Sequence, residues 1–195
     1  NDAFGTMHRA HASTVGVTKV LRPAVIGFLV ERELEALRAL NDPAQPFVVA
    51  LGGSKISDKI DLLNALLIRA DRILLGGAMA NTFLRAQGYG TGRSLVEDAN
   101  VDLAADLLVQ AGDRLRLPTD VVVTSAIDNP DATVYEVPID AIPESAAAVD
   151  IGTITRQRYH EEMGECASFF WNGPMGCFED PRFGEGTLSL ARAAA

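Results

Sequence analysis

"FVVALGGSKISDKIDLLNALL", residues 47 to 67, decides the fold class of this chain. Its first five residues form an uninterrupted apolar run of strand length, and Gly52-Gly53 then breaks the strand. Ile60, Leu63, Leu67 and Ala70 follow at helical spacing, with Leu62 and Leu66 widening the apolar face. A buried strand followed at once by an amphipathic helix is the repeating unit of parallel α/β architecture.

The same alternation continues outward. "RILLG" (72 to 76) reads as the next strand, "MANTFLRAQG" as a short helix closed by Gly88, and "VDLAADLLVQAGDRL" as another amphipathic helix. "VVVTSA" (121 to 126) reads as a third strand, and "ATVYEVPIDAIPES" as a looser, turn-rich segment. "TITRQRYHEEMGEC" is helical, and "SFFWNG" is the fourth core strand. The expected architecture is a parallel-sheet, Rossmann-like three-layer α/β domain.

The beginning differs in kind. "NDAFGTMHRAHAST" gathers His8, Arg9 and His11 in a glycine-containing segment. Phe28, Leu29, Leu34, Leu37 and Leu40 then make a helical stripe that Asn41-Asp42-Pro43 ends, and a domain boundary is expected along this helix. The chain opens on Asn1 and stops in Ala193-Ala194-Ala195 within a helical pattern, so both ends are expected to be cut.

Composition narrows the function. A hydrophobic content of 48% supports a sizeable core, and a formal net charge of -9 argues against broad binding to nucleic acid or anionic membranes. Any phosphate must be held locally. Cys166 and Cys177 have neither CxxC nor paired-His spacing, which suggests no disulfide framework or zinc site and fits a reducing, cytoplasmic setting. No apolar run approaches membrane-span length, and no signal peptide opens the chain.

Three strand ends carry candidate chemistry. In "VVALGGSKISDKI" a helix beginning near Ser57 would turn its first N–H groups toward the strand's carboxyl edge, a natural anion site. Lys55 and Lys59, four apart, would share a face of that helix if it includes both. The stretch serves equally as a tight glycine turn with two solvated lysines. It is neither a Walker A loop nor GxGxxG. "LLGGAM" repeats the device on the neighbouring strand, where glycines admit a flat ring or simply allow close helix packing. In "WNGPMGCFED", Asn172 offers an amide, Gly173 and Gly176 a close backbone, Pro174 a fixed turn and Glu179 a carboxylate for a ribose diol; alternatively it is an ordinary loop with a surface Glu. "HRAH" is a solvated turn or a site for a phosphorylated or carboxylate substrate.

In this order, "NDAFGTMHRAHAST", "GFLVERELEAL", "GGSKISDKIDLLNALL", "LLGGAMANTFL", "LPTDVVV", "VPIDAIPES", "DIG" (150 to 152) and "WNGPMGCFED" resemble the phosphoglycerate kinase family over nearly the whole chain. The resemblance implies a two-domain, hinge-closing, monomeric kinase of glycolysis. It would transfer a phosphoryl group between 1,3-bisphosphoglycerate and Mg-ADP, giving 3-phosphoglycerate and ATP, by positioning and charge cancellation. It further implies that residues 1–26 end a phosphoglycerate-binding domain, 27–40 form the interdomain helix, and 41–195 belong to the nucleotide-binding domain. Lys55 would hold the transferring phosphoryl group, Lys59 the nucleotide phosphates and Glu179 the ribose. Gly53 would join the nucleotide site, Gly76, Gly77 and Ala78 would line the adenine pocket with Gly152 near it, and Asn172, Gly173 and Pro174 would sit by the phosphates. Arg9 would contact phosphoglycerate, with His8 and His11 in the basic patch around it.

Several departures accompany the resemblance. The family's Asp-x-Asn motif and its "GGGD[ST]" motif, with the aspartate that holds Mg2+, are unmatched, so no metal ligand is expected among these residues. Ala78 stands where a third glycine is frequent, Met7 where Ala is usual, and Thr153 where Pro commonly follows "DIG". Ala78 would narrow the adenine pocket slightly. The alternative function is a non-catalytic adenine-nucleotide-binding fragment or interaction remnant.

Overall fold

A computed structural model describes residues 1 to 195. The chain forms two compact units, Asn1–Pro43 and Ala44–Ala195. In the first, short 3-10 and π turns precede helix α1, Phe28–Arg38. Its start is fastened locally: the Asp2 carboxylate accepts from the Val30 N–H at 3.0 Å, and the Gly27 N–H donates to the Asn1 carbonyl at 2.8 Å. Those bonds use N–H groups that a helix start leaves without intrahelical partners.

The second unit alternates strands and helices: β1 (Phe47–Leu51), α2 (Ile60–Leu67), β2 (Arg72–Leu75), α3 (Gly77–Ala86), α4 (Val101–Ala111), β3 (Leu115–Arg116), β4 (Asp120–Thr124), β5 (Val134–Pro138), β6 (Ala147–Ile151), α5 (Thr153–Gly164), β7 (Ser168–Asn172) and α6 (Glu185–Ala194). A four-stranded parallel sheet runs β3-β2-β1-β7. Every residue of β1 is buried, the pattern of a strand covered on both faces. Val48, Ala50 and Leu74 pack on one face against Tyr159 and Met163 of α5 and Leu190 of α6. The Tyr159 hydroxyl donates to the Leu75 and Arg116 carbonyls, tying α5 to the sheet.

The α/β class and the parallel sheet agree with the sequence reading, and four local expectations change. Helix α2 begins at Ile60 rather than near Ser57, so Lys59 is its N-cap and Lys55 lies in the preceding turn; the two lysines share no helical face. "VVVT" belongs to a second sheet, ordered β5-β4-β6, in which both pairings are antiparallel. The segment read as loose contains β5, whose exposed residues lack the alternating burial that marks a strand in sequence. Strand β7 is an edge strand with half-buried residues, not a central one.

Candidate functional site

Register brings three strand tips level. Leu51 of β1 pairs with Leu75 of β2 and with Asn172 of β7, so Gly52, Gly76 and Gly173 emerge side by side at the carboxyl edge. Ligands of open α/β sheets bind at this edge. The loops are stitched to one another by their backbones: the Gly52 N–H donates to the Asn172 carbonyl at 3.0 Å, the Gly77 N–H to the Met175 carbonyl at 2.7 Å, and the Met79 N–H to the Gly53 carbonyl at 2.9 Å.

Such closeness requires glycine at particular positions. A Cβ on Gly77, where φ is +66°, would lie 2.6 Å from the Gly53 backbone, and one on Gly173, where φ is +88°, would lie 2.2 Å from the Gly52 carbonyl oxygen. Gly53 and Gly76 belong to the same cluster, Pro174 closes on Gly52, and Ala78 occupies the first turn of α3. The fully buried Met175 underpins them, its N–H bonded to the Thr187 hydroxyl and its sulfur against Gly76. The Trp171 indole N–H donates to the Gly173 carbonyl at 2.7 Å and fixes the third loop. A small cleft opens beside Gly77 between α3 and β6, walled by Asn81, Val149, Asp150 and Met175.

The Lys59 ammonium donates to the Asn172 amide oxygen, so two candidates far apart in sequence meet at this edge. Lys55 is exposed in the turn after Gly53. Glu179 is exposed in the loop after β7. Gly152 is the N-cap of α5 and directly follows Ile151, which helps to wall the cleft beside Gly77: its N–H donates to the Asp120 carbonyl, and a Cβ there would meet the Asp120 carboxylate at 2.3 Å. His8, Arg9 and His11 are exposed in the first unit, in a turn held by the Thr14 hydroxyl, which donates to the Arg9 carbonyl at 2.5 Å.

One expectation about anion binding changes. The Ile56 and Ser57 N–H groups, which the sequence would turn toward a ligand, donate instead to one oxygen of Glu97, at 2.5 and 3.1 Å. The Ser57 hydroxyl donates to the other oxygen at 2.7 Å. Burial pushes the Glu97 carboxyl up, but these bonds and the Lys55 charge outweigh it and hold the group below the ordinary carboxylate range. No feature of "SLVED" signals this partnership, which spans 40 positions of sequence.

At the strand edge, therefore, Lys59 and its Asn172 partner provide the fixed polar groups, and Lys55 adds an exposed cation four residues before Lys59. That set suits an anionic ligand with a flat portion laid over glycines. The chain contains no group of three or more His, Cys, Asp or Glu side chains able to hold a metal ion.

The sequence profile described as "Phosphoglycerate kinase" matches residues 1–195. The chain is 50% identical over 199 residues to a phosphoglycerate kinase of Chlorobium limicola, covering 100% of this chain and 50% of the relative. It is 47% identical over 196 residues to that of Enterococcus faecalis, covering 100% and 49%. Among solved structures, phosphoglycerate kinase from Coxiella burnetii superposes with a TM-score of 0.90 at 43% identity, covering 98% of this chain and 50% of that one. The Pyrococcus horikoshii enzyme gives 0.87 at 32%, covering 100% and 50%. The chain spans about half the length of the curated relatives it matches. Similarity of this extent, in sequence and in fold alike, places the chain in the phosphoglycerate kinase family.

Proposed function

We propose that the second unit binds an adenine nucleotide at the β1-β2-β7 edge and that the chain serves the reversible phosphoryl transfer between 1,3-bisphosphoglycerate and Mg-ADP. The observation that carries this reading is the Lys59–Asn172 contact at a strand edge floored by Gly53, Gly77 and Gly173. Phosphoryl transfer spreads negative charge over the moving group, so positioned cations do most of what a protein can do for it. Lys59 holds the nucleotide phosphates beside Asn172, Gly173 and Pro174, while Lys55, on its exposed turn, reaches the transferring group. Gly76, Gly77 and Ala78 lie under the adenine, and Glu179 accepts from the ribose hydroxyls. Arg9, with His8 and His11, recognises the phosphoglycerate, and residues 27–40 form the interdomain helix. A Mg2+ ion carried by the nucleotide would offset phosphate charge there, with Lys59 and Lys55 supplying the chain's own positive groups. Family membership and the two free cysteines support a cytoplasmic setting.

Calorimetric titration of Mg-ADP into this chain tests the reading. Saturable 1:1 binding is expected, weakened but still measurable in Lys59→Ala and unchanged in Met7→Ala. Equal loss in both variants, or no binding by the folded parent chain, would refute it.

A further inference from the structure

Glu97 lies outside the glycine cluster, yet it grips the turn between the two candidate lysines at three points. The Ile56 N–H, the Ser57 N–H and the Ser57 hydroxyl all donate to its carboxylate. The same turn closes onto α2, because the Lys59 N–H donates to the Ile56 carbonyl at 2.9 Å and the Leu63 N–H to the Lys59 carbonyl at 2.7 Å. The fully buried Ile56 side chain anchors the turn from the apolar side. Glu97 is itself held by α3: its N–H donates to the hydroxyl of the fully buried Thr82 at 3.1 Å. An ionised carboxylate receiving several N–H and O–H donors makes bonds about twice as strong as neutral ones. A continuous path therefore runs from α3, which begins at Gly77, through Thr82 and Glu97, to the turn that ends at Lys59.

We propose that Glu97 is a positioning residue for nucleotide binding: by fixing the Ile56–Ser57 turn to α3, it sets where Lys59 stands at the strand edge. This rests on the nucleotide reading above. Glu97 need not touch ligand, since its bonds go to the protein's own turn. Its contribution comes from pre-organisation, because a lysine on a loose turn must be ordered when ligand arrives.

A double-mutant cycle on Mg-ADP affinity tests it, using the whole chain with Glu97→Ala, Lys59→Ala and both together. Glu97→Ala is expected to weaken binding roughly tenfold in the parent and hardly at all in the Lys59→Ala background. Glu97→Gln, which keeps an acceptor for the turn, restores part of the loss and serves in place of Glu97→Ala if that variant does not fold. Cycles with weakly binding members are read by competition against a fluorescent ADP analogue. A merely structural role lowers the melting temperature in both backgrounds and leaves the affinity losses additive. Additivity, or parent-like affinity in both Glu97 variants, overturns the positioning role while the nucleotide site stands. Failure of the folded parent chain to bind Mg-ADP overturns the nucleotide site and this inference with it.

Discussion

The Lys59 ammonium donates to the side-chain amide oxygen of Asn172, joining the start of α2 to the tip of β7 across 113 positions of sequence. The contact keeps a long, flexible cation in place before ligand arrives. Immobilising such a side chain costs about 1 kcal/mol, so Asn172→Ala should weaken Mg-ADP binding by roughly five- to tenfold through Lys59 alone. Lys59→Ala should cost more, because the charge itself goes. Titration of the two variants gives the order, and an Asn172→Ala variant with parent affinity would show that the contact does not prepare Lys59.

Two glycines separate close approach from backbone strain. Gly77 has φ +66° and would set a Cβ 2.6 Å from the Gly53 backbone, whereas Gly88 has φ +90° with nothing within 4 Å of the added carbon. Gly88→Ala should therefore cost only the left-handed conformation, about 1–2 kcal/mol. Gly77→Ala adds a clash between two backbones that neither can relieve by rotating a side chain. Urea unfolding should rank Gly77→Ala as clearly the more destabilised, and equal costs would mean that the loops yield easily.

The apolar run 47–51 and the helical period after it made the parallel sheet legible, because burial on both faces leaves a continuous apolar signature. The strand-end glycines were legible for the same local reason. What the sequence hid was long-range. The second sheet was obscured because β5 is largely exposed and β6 carries the buried Asp150 inside an otherwise short apolar stretch. The Glu97 carboxylate gave no signal at all, since its partners are mostly backbone N–H groups, which every residue but proline has. Helix α2 starts at Ile60 rather than near Ser57: Ser57 has the chemistry of an N-cap, yet its hydroxyl is engaged by Glu97.

Gly152 gives a prediction that depends on one neighbour. Buried Asp120 caps α5, accepting from the Ile154 N–H at 2.9 Å, the Thr155 N–H at 2.7 Å and the Thr155 hydroxyl at 2.6 Å. Asp120→Ala should cost about 2–4 kcal/mol through the lost cap and the buried donors left without it. Gly152→Ala drives its new methyl to within 2.3 Å of that carboxylate and should also be severe. Once Asp120 is alanine the methyl has room, so the double variant should be markedly more stable than the sum of the two losses predicts. Thermal denaturation of the four chains measures this, and simple additivity would show that the two residues do not compete for the same space.

Asp150 should make stability fall as pH rises from about 4 to 6. Its carboxyl is buried between Gly176 and Gly186, and burial pushes it up to about 6, against hydrogen bonds from the Gly186 and Ile151 N–H groups and the Arg156 charge that pull it down. The unfolded chain loses this proton near the ordinary value of 3.8, while the folded chain keeps it to about 6. Between those values the folded state binds more protons, so each rise in pH favours unfolding, and the effect levels off above about 6. Asn at position 150 resembles the protonated acid and cannot titrate. The stability of the parent relative to Asp150→Asn should therefore decline by up to about 3 kcal/mol between pH 4 and pH 7. Urea unfolding of both chains across that range isolates the group from every other titration. A difference that rose with pH would instead mean that the two N–H donors outweigh burial and that Asp150 is ionised throughout the working range.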